Sequence, residues 1–116
     1  MSYFDVSLNN IEGPLPMFQN VARLLLFVNS FTGSIPTEYG RLENLTHLEL
    51  NNNFDITGTV PTELMECDKL TVLALLQTGI SGNVTFCDSF VGSIKILVSD
   101  VSICGEECEC CCVMSY

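Results

Sequence analysis

Four segments of the chain can be laid over one another: MSYFDVSLNNIEGPLP, VARLLLFVNSFTGSIP, LTHLELNNNFDITGTVP and LTVLALLQTGISGNVT. They start at Met1, Val21, Leu45 and Leu70, and a degenerate fifth copy begins at Ile94, so the spacings are 20, 24, 25 and 24 residues. This period constrains the fold more than any other property of the chain. A unit so short cannot bury its own apolar face, and it becomes stable only by stacking on copies of itself.

Each repeated position has a physical reason. In the third copy the anchors are Leu45, Leu48, Leu50, Asn53, Ile56, Gly58, Val60 and Pro61; in the second they are Val21, Leu24, Leu26, Asn29, Phe31, Gly33, Ile35 and Pro36. Strand alternation turns the leucines of an LxL triplet to one face and the residue between them to the other. Neighbouring copies then pair as a parallel sheet with strands about 4.8 Å apart. An asparagine ends each strand, where its amide can bond backbone groups that would otherwise be buried unpaired; Asn9, Asn29 and Asn53 are expected to form that column. Glycine supplies a backbone conformation closed to other residues, and the proline after it fixes φ. The polar segments TEYGRLENL and TELMECDKL, with apolar residues three or four apart, suit a short helix or 3₁₀ turn on the outer side.

These anchors follow an LxxLxLxxNxLxGxIP pattern and resemble plant-type leucine-rich-repeat proteins, whose GxIP signature sets them apart from other subclasses. The resemblance covers nearly the whole chain and implies an α/β solenoid: a short right-handed coil with a parallel concave sheet and a 3₁₀ or short-helix convex side. Residues 1–93 are expected to hold the four repeats, and residues 94–116 a degenerate last repeat with a cysteine-rich C-terminal cap.

Departures from the pattern carry their own expectations. The third copy has one extra residue between Asn53 and Ile56, which should bulge the turn without disturbing the stack. In the fourth copy Thr78 stands where asparagine is expected and Thr85 where proline is, so the column weakens towards its end. Met1, Phe4 and Val6 have nothing ahead to cover them, and MSYFDVSLNN has no basic segment followed by an apolar one. The expectation is a piece of a larger protein, with N-terminal repeats or a membrane-anchored region elsewhere.

Five of the seven cysteines fall in the last thirteen residues, a density that favours an oxidising compartment. The segments TFCDSF, ILVSD and CGEECECCC resemble the cysteine-rich ends of some extracellular algal leucine-rich-repeat proteins. The resemblance implies a bridged cap over the last repeat, with Cys87, Cys104, Cys108, Cys110, Cys111 and Cys112 as disulfide candidates and Cys87 a distant partner for one tail cysteine. Adjacent cysteines such as Cys110, Cys111 and Cys112 do not readily bridge one another, because consecutive Cα atoms are only about 3.8 Å apart. The alternative is a thiolate cluster around zinc or copper(I), interleaved with Glu106, Glu107 and Glu109. The single crowded cluster lacks the paired knuckles of structural zinc sites, so no metal and no cofactor is assigned. Cys67 reads as a small buried hydrophobe.

Charge and composition exclude several functions. A formal charge of −10, with Arg23, Arg41, Lys69 and Lys95 as the only Lys or Arg, disfavours nucleic acid and anionic membranes. The apolar runs LLLFV and LTVLALL fall well short of the roughly 20 residues that cross a bilayer. His47 is the single histidine, without an obviously poised nucleophile on its row, and no phosphate loop or nucleotide fingerprint occurs. An enzyme is not expected. Sequons at Asn44 and Asn83 are glycosylation candidates should the chain enter the secretory route.

Alternation also identifies the outward row: Tyr3, Asp5, Ser7 and Leu8; Arg23, Leu25, Phe27 and Val28; His47, Glu49, Asn51 and Asn52; Val72, Ala74, Leu76 and Gln77. Solenoids commonly bind across such a face. Arg23, Leu25, Phe27, Val28, His47, Glu49, Asn51, Asn52, Leu76 and Gln77 are the candidate contacts, with apolar positions flanking a polar strip. The expected function is non-enzymatic, extracellular or cell-surface recognition of a protein, peptide or glycan. The alternatives are a structural or adhesive surface protein, or a metal-binding tail on an inert scaffold.

Overall fold

The computed structural model describes residues 3–81, 96–99 and 111–113. In chain order the strands are β1 (Tyr3–Asp5), β2 (Glu12–Pro14), β3 (Arg23–Leu25), β4 (Ser30–Thr32), β5 (His47–Glu49), β6 (Val72–Ala74), β7 (Ile96–Ser99) and β8 (Cys111–Val113). Two 3₁₀ helices, η1 (Thr37–Arg41) and η2 (Thr62–Glu66), follow β4 and β5. The main sheet is parallel throughout, in the order β1-β3-β5-β6-β7-β8, so from β1 to β7 each neighbour belongs to the next copy along the chain, and β8 follows at the edge.

The register follows the internal alignment. Phe4, Leu24, Leu48, Leu73 and Leu97 lie side by side, each the fourth residue of its copy. Leu24, Leu26, Leu48, Leu50, Leu73 and Leu75 are fully buried and join Leu45, Ile56, Leu64 and Leu70 in one core cluster. Burying each such side chain contributes about 1.5–3 kcal/mol, which makes this column of rungs the principal source of stability. Phe4, on the edge strand β1, and Val6, just past it, are only partly buried against the same cluster. The cysteine tail contributes β8, paired to β7 with Leu97 beside Cys111, where the sequence patterns show no strand.

The difference in repeat length has a local cause. The 20-residue first copy crosses the outer side at 15–20 without a helix, bending at Gln19 and Asn20, whereas the next two insert η1 and η2 there. Each 3₁₀ helix begins directly after a proline, Pro36 and Pro61, whose φ values of −63° and −66° suit the extended entry. The helices pack closely at Gly40, which is buried; an added Cβ would press on the backbone carbonyl of Glu63, with the carbonyl carbon at 2.8 Å. Tyr39 sends its hydroxyl to the Pro16 carbonyl at 2.7 Å, and Phe18 lies between its ring and that of Phe4. That clasp ties the first copy to the second.

A second parallel pair, β2 with β4, runs along the flank after each asparagine. In the third copy it shrinks to a single bridge between Gly33 and Ile56. The extra residue explains this: Phe54 is pushed out to 65% exposure, while Ile56 occupies the buried position that Phe31 fills in the copy before. Beyond it, Gly13, Gly33 and Gly58 all have positive φ, between 82° and 99°, which accounts for the glycine of the pattern.

The asparagine column supplies the turn with its missing partners. Asn29 Nδ2 donates to the carbonyls of Leu26 in its own copy and Val6 in the preceding one, and its Oδ1 accepts from the N–H groups of Asn9 and Ile11. Asn53, with no exposed surface, donates to Leu50 and Leu26 and accepts from Phe31 N–H. Thr78 has one hydroxyl proton in place of two amide protons, and it goes to Leu75 within the same copy at 2.8 Å. Leu50 therefore receives no side-chain donor from the fourth copy among the described residues. Replacing Asn53 by alanine strands buried backbone groups on two copies and is expected to cost roughly 2–4 kcal/mol, whereas Thr78→Asn restores a donor towards Leu50 and is expected to gain about 1 kcal/mol. Urea unfolding monitored by circular dichroism measures both; a neutral Asn53→Ala would contradict the assigned role.

Candidate functional site

The sheet face opposite the core carries three lanes, because parallel register sets equivalent side chains of neighbouring strands beside each other. Arg23, His47 and Val72 share the first lane, and Asp5, Leu25, Glu49 and Ala74 the second. Phe27, Asn51 and Leu76 occupy the corresponding position just past their strands, and Leu8, Val28, Asn52 and Gln77 end the row. Strand alternation alone builds this surface, since every second residue is claimed by the core.

Accessibility sorts the candidates. Arg23 is exposed, Leu25, Phe27, His47, Glu49, Asn51, Asn52 and Gln77 are half-buried, and Val28 is 37% exposed. Leu76 departs from the expectation. It is 2% exposed, and with Ala74 it is buried outside the core cluster. Leu76 is therefore not part of an open apolar end on the fourth copy, where Val72 is half-buried; the accessible apolar side chains of the row are Leu25, Phe27 and Val28 on the second copy and Leu8, 71% exposed, on the first.

The last residue of the row has an unusual backbone. Leu8, Val28, Asn52 and Gln77 all have positive φ, between 54° and 65°, and the N–H groups of the first three donate across to Phe27, Asn51 and Leu76. The turn into the asparagine requires this left-handed residue in every copy. Asparagine tolerates it and a β-branched residue does not, so Val28 is strained where Asn52 is relaxed. Positive φ at this position is not visible in the residue types, which differ in all four copies.

Polar groups on the face are partly committed. Asp5 accepts from both the backbone N–H and the hydroxyl of Ser7, and these bonds hold its carboxyl below the usual carboxylate range. Thr46 Oγ1 lies 2.8 Å from His47 Nδ1 and 3.0 Å from the Ala22 carbonyl. Asn51 Oδ1 is buried without a hydrogen-bond partner among the described residues.

The remaining candidates lie elsewhere. Asn44 is exposed on the flank and accepts from Lys69 Nζ at 3.1 Å. Cys67 is buried and unbridged, with its thiol 3.3 Å from the Tyr39 carbonyl; burial first, then the charges of Glu66 and Asp68, push it up to about 11. Asn83, Cys87, Cys104, Cys108 and Cys110 lie outside the described residues, and Cys111 and Cys112 are described only as strand. No helix among the described residues is long and apolar enough to cross a membrane.

No protein-family model and no curated relative matches the chain. Among solved structures it is similar to the plant peptide hormone receptor RGFR1 in complex with RGF2, with a TM-score of 0.79 and 28% identity over 85% of this chain and 16% of the receptor. It is also similar to the BIR2 ectodomain from Arabidopsis thaliana, with a TM-score of 0.72 and 26% identity over 83% of this chain and 54% of that one. The chain thus spans a small part of the first structure and about half of the second. Both are leucine-rich-repeat receptor ectodomains, and the fold described above is leucine-rich-repeat-like.

Val28→Asn removes the left-handed strain at a half-open position and is expected to raise stability by about 1 kcal/mol. A higher urea midpoint at unchanged slope is the signature; an unchanged or lower midpoint would show that the strain is not felt there.

Proposed function

We propose that this chain is a recognition module of the plant-type leucine-rich-repeat kind, without catalytic activity, and that it binds a protein or peptide across its outward strand row. The observation that carries the reading is the row itself. The core claims one residue in two, and those between them in the second and third copies form an accessible surface of mixed chemistry, with Arg23, His47 and Glu49 beside Leu25, Phe27 and Val28. Side chains that the fold does not need, placed at fixed lateral spacing, suit an extended partner whose own side chains recur along its length. The likeness to a receptor described in complex with a peptide hormone supports a peptide as the ligand class.

The same reading extends to location and organisation. An ectodomain among the similar structures supports an extracellular position. In this reading residues 1–93 act as the repeat region and residues 94–116 as a degenerate last repeat with a cysteine-rich cap held by disulfides, with Asn44, exposed and outside the asparagine column, as a glycan site.

A peptide library displayed on phage and selected against the folded chain tests the function. Recovered peptides are expected to lose roughly tenfold or more in affinity against Phe27→Ala and to be unaffected by the convex-side change Glu66→Arg. Binders that are insensitive to Phe27→Ala, Glu49→Arg and Val28→Arg would place recognition elsewhere.

A further inference from the structure

The described cations are unevenly placed. Lys69 is bonded to Asn44, and Arg41 lies on η1 among Glu38, Glu63 and Glu66, on the convex side. Arg23 alone stands on the outward row, in a chain of formal charge −10. Its neighbour in the first lane is the single histidine, with Arg23 paired directly to His47 in the parallel register. The nearest acid on β1, Asp5, is occupied by Ser7.

The hydrogen bonds around His47 determine what it offers. Thr71, the equivalent of Thr46 in the next copy, has no imidazole beside it, and its hydroxyl donates to the Thr46 carbonyl. Thr46 repeats that geometry towards Ala22, which uses its one hydroxyl proton. The 2.8 Å contact then has His47 Nδ1–H donating to Thr46 Oγ1. Nε2 is left for the surface: an acceptor in the neutral ring and a donor in the imidazolium.

We infer that Arg23 and His47, side by side on β3 and β5, form an anchor for a carboxylate of the ligand. The inference rests on the reading of the outward row as a binding face and names the group that seats there. The guanidinium supplies a fixed fork of donors, and the His47 ring presents Nε2 across the lane, a donor in its imidazolium form. The groups facing His47 are Arg23 on β3 and Glu49 two residues along β5; β6 contributes the uncharged Val72.

Titration of the isotopically labelled full chain with two probes, followed by NMR at the His47 ring and the Arg23 side chain, tests this. N-acetylglycine presents a terminal carboxylate, and N-acetylglutamate α-amide a side-chain one; the tighter binder identifies the source. Saturable shifts at Arg23 and His47, absent at Arg41, are expected, with affinity falling roughly tenfold in folded Arg23→Gln. In folded His47→Ala, which removes the second donor of the pair, the carboxylates are expected to bind severalfold more weakly. Shifts that do not saturate, or that are equal at Arg41, would overturn the anchor. Peptides that bind independently of Arg23 and His47 would overturn the anchor alone, whereas saturable carboxylate binding with no selectable peptide would overturn the peptide reading and leave the anchor standing.

Discussion

Whenever this chain leaves a strand it must bend, and the bend removes backbone carbonyls and amides from the ladder inside an apolar stack. An unpaired buried backbone group costs about as much as a lost hydrogen bond. The asparagine column resolves this with the one small side chain that carries two donors and an acceptor. Asn29 and Asn53 each bond to both their own copy and the one before, so the group that satisfies a bend also fixes the spacing of the stack. The register of Leu24, Leu48 and Leu73 follows from that spacing as much as from the leucines themselves.

The outward face is a by-product of the same arrangement. A bend that begins with a left-handed residue and ends at a buried asparagine leaves the three-residue strand before it in register with its neighbours. In the second and third copies the side chains between the leucines are then left out of the core, and their chemistry differs from copy to copy: apolar at Leu25 and Phe27, polar at His47, Glu49 and Asn51. Constant rungs support a variable surface, which is the division of labour that a repeat architecture makes available to recognition.

The stack, its register, the asparagine column and the 3₁₀ segments were legible in the sequence because each rests on residue types recurring at a fixed offset. What was hidden rests on single contacts. Gly40 looks like any glycine in a polar segment, and only the nearness of Glu63 shows why a side chain is excluded. Tyr39 reads as an apolar residue of a short helix, whereas its hydroxyl clasps Pro16. The left-handed position at Leu8, Val28, Asn52 and Gln77 has no common residue type to reveal it. Of the candidate site, the lanes followed from alternation and the accessibility did not: Leu76 is placed outward by period two, yet its surroundings cover it. The strand β8 was missed because a run of cysteines carries no alternation to read.

The single proton of Thr78 has a mechanical corollary. Amide clamps hold the first three copies to one another, but at the junction between the third and fourth the amide clamp is absent among the described residues, and backbone pairing, leucine contacts and the single Thr71 hydroxyl bond to the Thr46 carbonyl take its place. In a linear array with nearest-neighbour coupling, the weakest junction decides where a melting front stops or starts. Under pulling force or partial denaturation the molecule should separate into two blocks at that seam, with amide protons before it exchanging more slowly than those after it.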